Sequence, residues 1–150
     1  MSRAWQIAMV LFLLSCFAQA KNETLEDLKK RADAAHGGEQ AKLCLEYAHG
    51  ELEQANDLFT KGDVDAAQVG ITSVMEYVRK GTHAATSSGK RLKQTEIELR
   101  KLEKRMKDVE ASLNLDDRPP LRKAGEEIEQ LRAGLLAVMF GEKAEPKDKS

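Results

Sequence analysis

The sequence predicts an all-α protein of about four helices arranged as antiparallel, coiled-coil-like hairpins. The main observation is an apolar heptad pattern that runs without a skip over residues 64–113, the period that drives left-handed helix packing. Its a and d positions are Val64, Ala67, Ile71, Val74, Val78, Gly81, Ala85, Ser88, Leu92, Thr95, Leu99, Leu102, Met106, Val109 and Leu113. Two shorter heptad series, at 41–59 and 121–138, match this long one at constant offset. No catalytic or cofactor motif competes with the pattern.

The first twenty residues have the features of a bacterial secretory leader. Arg3 supplies a positive n-region, residues 8–14 form an apolar core, and an A-x-A motif at 18–20 predicts cleavage after Ala20. We therefore expect the mature protein to be exported, to the periplasm or the medium. A lipoprotein signal acylated at Cys16 is the alternative, and only that alternative would attach the protein to a membrane.

Beyond the leader, the chain predicts one helical domain over residues 21–140 and a charged tail at 141–150 that we expect to be disordered. Arg3 is the only charged residue of the leader, so 23 of the 24 cations remain beside all 25 anions. Such near-neutrality gives no reason to expect nucleic acid as a partner. The leader also takes the only Trp, which leaves few aromatic side chains for stacking on sugars or bases.

Capping residues set the limits of the first two helices. Thr24 followed by Asp27 resembles a capping box and predicts a first helix over about 24–36. Two glycines at 37–38 interrupt that helix. A second helix is therefore predicted over about 39–61.

The turn into the third helix lies at Gly62 and Asp63. Glycine suits the left-handed residue that ends a helix, and aspartate is a favoured N-cap. The fourth helix is predicted to begin near Asp117, with the prolines of 119–120 in its first turn, where a missing N–H costs little. It should stop near Phe140.

The third helix is expected to run unbroken over 63–114, a length of about 75 Å at 1.5 Å per residue. Residues 81–89 are rich in Gly, Ser and Thr, which weakens helix locally. The heptad phase is nevertheless the same on both sides of this stretch, and a loop of arbitrary length would preserve it only about one time in seven. The alternative is a break at 87–89 that folds the same helices into a compact bundle.

Constant offsets predict which helices touch. If the second helix turns back onto the third, facing residue numbers add up to 126, and most layers set a large residue against Ala or Gly. These pairs are Phe59 with Ala67, Ala55 with Ile71, Leu52 with Val74, Ala48 with Val78, Leu45 with Gly81 and Ala41 with Ala85. The third and fourth helices pair at a constant total of 237. Those pairs are Leu113 with Ala124, Val109 with Ile128, Met106 with Leu131, Leu102 with Leu135 and Leu99 with Val138.

Small and large apolar residues alternate around the turn at Gly62. The members of this pattern are Ala55, Leu58, Phe59, Gly62, Asp63 and Ala67, continued by Ile71 and Val74. Over residues 48–78 the pattern resembles the turn and flanking helices of a tetratricopeptide-type hairpin. The resemblance implies a helical hairpin and a bias toward protein interaction. It departs from the repeat where the second helix runs past the usual proline, and one copy builds no peptide-binding groove.

Residues able to bind a metal or cofactor are few and scattered. The histidines, His36, His49 and His83, fall in different segments, and Cys44 is five residues from His49, off the i, i+4 spacing of paired ligands. We therefore expect neither a metal nor a cofactor. Cys44, the only cysteine after the leader, is expected to be a small buried hydrophobe, with an intermolecular disulfide as the alternative.

The densest charge run lies at 90–107, with most of its cations away from the predicted seam. The possible basic interaction face consists of Lys90, Lys93, Arg100, Lys101, Lys104 and Lys107. Glutamates at e positions flank the seam, and Glu103 with Arg132 or Arg105 with Glu127 would form antiparallel ion pairs. The face has two interpretations: a solvated surface, or a basic strip about 25 Å long that meets an anionic partner.

Together these features favour an exported interaction or scaffold protein without catalytic activity. Seams of Leu, Val and Ala offer no cluster of titratable groups in a concave site, which catalysis requires. The expected mechanism is recognition of a protein partner by a helix face, or self-association. The alternative is a holdase-like envelope chaperone with elongated helical arms.

Overall fold

The computed structural model describes residues 23–141, which are 88% helical and contain no strand. The predicted leader and residues 142–150 of the predicted tail lie outside the described residues. Five α-helices follow one another: α1 (Leu25–Ala34), α2 (Gly37–Thr60), α3 (Val64–Ser88), α4 (Leu92–Ser112) and α5 (Pro119–Phe140), with a 3₁₀ turn at Leu115–Asp117 before α5. The all-α prediction is confirmed, whereas the expected number of about four helices is one too low.

The predicted caps lie at the starts of α1 and α3, whereas α2 begins at Gly37, within the pair of glycines that was expected to precede it. The Thr24 hydroxyl accepts the Asp27 N–H at 3.2 Å and donates to the Asp27 carboxylate at 2.9 Å. Asp63 accepts the Ala66 N–H at the start of α3. Gly62 and Gly141 adopt φ of +82° and +70°, the left-handed conformation that favours glycine after a helix.

The long third helix predicted over 63–114 is wrong. It divides into α3 and α4, because Gly89 and Arg91 adopt left-handed φ values of +66° and +59°. The Ser88 hydroxyl donates to the Ala84 carbonyl at 2.6 Å and accepts the Lys90 N–H at 3.2 Å, which satisfies groups at the helix end. The longest helix in the described part is therefore α3, with 25 residues and about 38 Å of length, instead of about 75 Å.

The heptad phase did not reveal this break. Each of the two helices packs into the core with its own apolar stripe. The connection of residues 89–91 has a length that keeps the heptad count of one stripe continuous with that of the other. Ser88, predicted to be a seam residue, is exposed. The Gly, Ser and Thr content of 81–89 was the better signal.

Contacts between α2 and α3 follow the predicted order. A side chain at Gly81 would place its Cβ 3.0 Å from the Cβ of Cys44 and 3.4 Å from the Cγ of Leu45, and one at Gly70 would lie 3.1 Å from the Cβ of Ala55. Leu45 thus contacts Gly81 as predicted, although Cys44 comes closer. All twelve residues of the six predicted pairs are buried: Ala41, Leu45, Ala48, Leu52, Ala55, Phe59, Ala67, Ile71, Val74, Val78, Gly81 and Ala85.

Contacts between α4 and α5 also run in opposite sequence order. Arg122 binds Glu110 at 3.0 Å, and Arg132 binds Glu103 at 2.6 Å, so the predicted pair of Glu103 with Arg132 is confirmed. Val138, predicted as the last seam residue of this helix, is 49% exposed, so its predicted burial is wrong. A heptad stripe drifts by about 20° per repeat on a straight helix, which moves the last member of the series to the edge of the buried face.

The helices share one apolar core with members from all five. Because the chain turns back at Gly89, α4 contacts α2, and Arg105 binds Glu53 at 2.6 Å. On another side of the bundle Arg79 of α3 binds Glu127 of α5 at 2.9 Å. The expected pair of Arg105 with Glu127 is therefore wrong, since each of these residues faces a different helix.

The Asp33 carboxylate of helix α1 binds two residues of α3. Asp33 accepts the Tyr77 hydroxyl at 2.8 Å and the Lys80 ammonium at 2.6 Å. The Lys80 hydrogen bond is the largest effect that lowers the pKa of Asp33. Nearby, the Tyr47 and Tyr77 rings lie 4.4 Å apart between centroids, which fills the space beneath α1.

Candidate interaction surface

The predicted basic face lies on the outer side of α4 and on the connection before it. All six of its cations are exposed: Lys90, Lys93, Arg100, Lys101, Lys104 and Lys107. Within α4 the face is opposite to the buried stripe of Leu99, Leu102, Met106 and Val109. The helix backbone therefore holds its cations in a row along the surface.

Half of these cations are engaged with carboxylates of their own helix. Arg100 binds Glu96 at 2.9 Å, Lys101 binds Glu98 at 2.9 Å, and Lys107 binds Glu103 at 2.6 Å. No carboxylate of residues 23–141 lies within 4.0 Å of the Lys90, Lys93 or Lys104 ammonium. Lys93 and Lys104 stand eleven residues apart on one side of α4, about 17 Å by helix rise.

A buried ion cluster anchors this face from behind. Arg132 of α5 donates from Nη2 to Glu96 at 2.9 Å and from Nη1 to Glu103 at 2.6 Å, and both carboxylates are buried. Their other oxygens accept from Arg100 and Lys107. The Nε of Arg132 is buried without a hydrogen-bond partner in the described part of the chain.

The cluster lowers the pKa of both glutamates. For Glu96 the hydrogen bond from Arg132 is the largest effect, and it outweighs the burial that acts in the opposite direction. For Glu103 burial is the largest single effect and raises the pKa, but the hydrogen bonds and the charges of Lys107 and Arg132 together outweigh it. Both side chains are therefore held as carboxylates at neutral pH, and their charge serves the packing of α4 against α5.

A polar cleft of about 270 Å³ adjoins the start of α4. It is lined by Lys42, Leu45, Glu46, Arg91, Gln94, Thr95 and Glu98. At its edge the Nε2 of His49 lies 3.3 Å from the Glu98 carboxylate. The cleft brings charges of both signs together between α2 and α4, an arrangement that the predicted long helix did not allow.

The remaining candidate ligands lie apart. His36 precedes α2, and His83 lies on α3, 3.3 Å from the Ser87 hydroxyl. Among residues 23–141 no three His, Cys, Asp or Glu side chains are placed to hold a metal ion. Cys44 is buried, as predicted, and burial raises the pKa of its thiol to about 11.

Sequence reasoning missed the apolar side chains that remain exposed. Phe140 is 76% exposed at the end of α5, and Leu115 is 75% exposed in the 3₁₀ turn. The available signal was their position next to predicted helix ends, where a side chain has neighbours on one side only.

No described helix has the length and apolar character needed to cross a membrane.

Comparison of the chain with protein families, with curated proteins and with solved structures finds no match. The proposal of a function is therefore based on the helical bundle and its surfaces.

Proposed function

We propose that the protein is an exported interaction or scaffold protein that binds a protein partner through a helix face and carries no catalytic activity. The observation that carries the proposal is the outer face of α4, where Lys93 and Lys104 are exposed and lie beyond ion-pair distance of any described carboxylate. The leader motif at 1–20 motivates export. The resemblance of residues 48–78 to a tetratricopeptide-type hairpin adds the bias toward protein interaction.

The face has the rigidity that specific recognition needs. Its helix is fixed from behind by the Arg132 ion cluster and by four fully buried apolar residues, so the cations keep their spacing. Sites built on packed helices are held more accurately than sites on loops. Excess positive charge on such a face steers an acidic partner and fixes its orientation more than it adds affinity.

The scaffold itself is proposed to consist of two antiparallel, coiled-coil-like hairpins, α2–α3 and α4–α5. The support is the opposite sequence order of contacts in each pair, from Ala55 with Gly70 to Cys44 with Gly81 in the first. In the second, the order runs from Glu110 with Arg122 to Glu96 with Arg132. Flanking ion pairs of this kind set orientation in coiled coils.

A photo-cross-linking amino acid at position 104 tests the proposal in the native envelope. We expect a discrete adduct with one partner, and a matched probe at the exposed Glu76 of α3 should give none. Substituting Lys93→Glu and Lys101→Glu beside the probe should weaken the adduct at least several-fold, because they reverse the charge of the face. Equal adducts at positions 104 and 76, or an adduct unaffected by the charge reversals, would contradict the proposal.

The same purified variants distinguish the holdase alternative. A holdase should suppress aggregation of an unfolded client, and that suppression should not depend on one cationic face. The expectation of elongated arms motivated this alternative, and the chain instead folds its five described helices around one core. Suppression that survives the charge reversals would favour the holdase over the interaction protein.

A further inference from the structure

The two ends of the bundle carry charges of opposite sign. The basic end consists of residues 36–39, 88–93 and 138–141, and the acidic end consists of residues 57–65 and 113–118. The first two segments of the basic end meet where a side chain at Gly38 would lie 3.1 Å from the Lys90 Cβ. The two segments of the acidic end meet around a shared cleft.

The charges at each end are unneutralised within the described chain. The basic end has three cations, Lys90, Arg91 and Lys93, against the one carboxylate of Glu39. The acidic end has five carboxylates against the cations Lys61 and Arg118. These carboxylates are Asp57, Asp63, Asp65, Asp116 and Asp117. In residues 23–141 none of the three cations of the basic end, and none of these five carboxylates, has an ion-pair partner within 4.0 Å.

An exposed aromatic side chain lies at the basic end. Arg132 of α5 binds Glu96 of α4. From this contact, α5 continues for eight residues to Phe140, whereas only four residues separate Glu96 from Leu92, the first residue of α4. Because the two helices run in opposite order, Phe140 lies at or beyond the level of Leu92. Its side chain is 76% exposed, and Val138, two residues before it, is 49% exposed.

A matching concave surface lies at the acidic end. A cleft of about 320 Å³ is lined by Phe59, Thr60, Gly62, Val64, Ser112, Leu113, Asn114 and Asp117. Its apolar walls are Phe59 of α2, Val64 of α3 and Leu113, which follows α4, and Leu115, two residues further along the chain, is exposed. An aromatic side chain that enters this cleft would bring cations of the basic end close to carboxylates of the acidic end.

We infer that the chain binds a second copy of itself head to tail, with Phe140 of one copy in the Phe59–Leu113 cleft of the next. Charge complementarity favours a second copy as the partner, because the basic end of one copy can pair with the acidic end of the next. The contact joins two different surfaces, so each bound copy leaves one free end of each kind. Such a heterologous contact, unless it closes into a ring, produces open-ended growth.

Sedimentation velocity of the chain from Lys21 to Ser150 tests this inference. The weight-average mass should rise with protein concentration and pass the dimer without a plateau. Growth should weaken between about 0.1 M and about 1 M salt, as the screening length falls from about 10 to about 3 Å. A monomer at every concentration, or growth that stops at a dimer, would overturn the inference.

Two end variants make the test directional. The variant Lys90→Glu with Phe140→Ser alters only the basic end, and Asp116→Lys with Leu115→Ser alters only the acidic end. Each should remain monomeric alone, whereas their mixture should give a one-to-one dimer, because each still has one intact end. A mixture that stays monomeric would contradict a head-to-tail contact. All four positions are exposed, and circular dichroism should show unchanged helix content.

A matched control changes the same kinds of residue on the sides of the bundle. Val69 is 71% exposed on α3, and Lys104 is exposed on α4. The variant Val69→Ser with Lys104→Glu should grow like the unmodified chain. Loss of growth in this control would overturn the assignment to the ends. Because Lys104 belongs to the proposed partner-binding face, this variant distinguishes a failure of self-association from a failure of partner binding.

Discussion

The two proposed hairpins of the bundle are held in register by different physical means. Between α2 and α3 the contact is steric, because small residues let the helices approach until a Cβ on Gly81 would lie only 3.0 Å from the Cβ of Cys44. Between α4 and α5 the apolar core is flanked by charges, and Arg132 and Arg122 bind glutamates of α4. An atom added to the steric register must displace a close neighbour, whereas removal of one member of the charged register leaves its buried partners without a counter-charge.

The largest expected effect is overpacking of the steric seam. Gly81→Leu should lower the free energy of unfolding by about 3 kcal/mol, although leucine has the better helix propensity. The reason is that its Cβ alone would lie 3.0 Å from the Cys44 Cβ and 3.2 Å from the Ala41 carbonyl oxygen. Chemical denaturation measures the change. A Gly81→Leu variant as stable as the parent would show that the seam has room for the added side chain.

Two companions sharpen this result. Gly134→Ala, on the exposed side of α5 where a Cβ meets nothing within 4 Å, should raise stability by about 1 kcal/mol. Leu45→Ala combined with Gly81→Leu should recover only part of the loss. The reason is that Cys44 and the backbone of Ala41 lie closer to Gly81 than Leu45 does.

The next effect concerns the charged seam. Arg132→Met should cost about 2 kcal/mol, because it leaves Glu96 and Glu103 buried with one cation each. Adding Glu96→Leu and Glu103→Leu should restore most of that loss, since the whole cluster is then apolar. Arg105→Met, which breaks only the pair with Glu53 at the surface, should stay within about 0.5 kcal/mol of the parent. A triple variant no better than Arg132→Met would contradict this account.

The charged seam should also make stability depend on acid. Because the folded pKa values of Glu96 and Glu103 lie below the ordinary value of 4.5, their contribution is present above that pH and is lost as pH falls through the folded values. Denaturation midpoints between neutral pH and about pH 3 should therefore fall less for the triple variant than for the parent. Part of the acid dependence should remain in the triple variant, because the pKa of Asp33 is also lowered.

The smallest expected effect is at Cys44. Cys44→Ala should change the free energy of unfolding by about 1 kcal/mol or less, because alanine keeps the Cβ that faces Gly81 and loses one buried atom. The folded thiol should react slowly with a thiol reagent at neutral pH, since burial raises its pKa to about 11. Sizing under reducing and non-reducing conditions should give the same oligomeric state for both proteins. A dimer lost in the variant would make the thiol an assembly device.

Local patterns predicted the helical class and the buried faces of α2 and α3. The caps at Thr24 and Asp63 and the twelve residues of the α2–α3 seams are placed as predicted, because hydrogen bonding and alternation of large and small residues act over a few neighbours. The six cations predicted for the basic face are also exposed. The exposed Phe140 was not predicted as a surface residue, since exposure at a helix end depends on what packs beyond it.

The helical class, the apolar stripe of each helix and the outward position of the cations on α4 follow from local patterns in the chain. The turn at Gly89 does not, and neither do the ion pairs of Arg105 with Glu53 and of Glu127 with Arg79, which depend on how the helices pack. The physical reason is that a heptad stripe specifies which side of a helix is buried but not which helix covers it. That choice depends on the total apolar surface buried in the bundle, to which residues far apart in the chain contribute together.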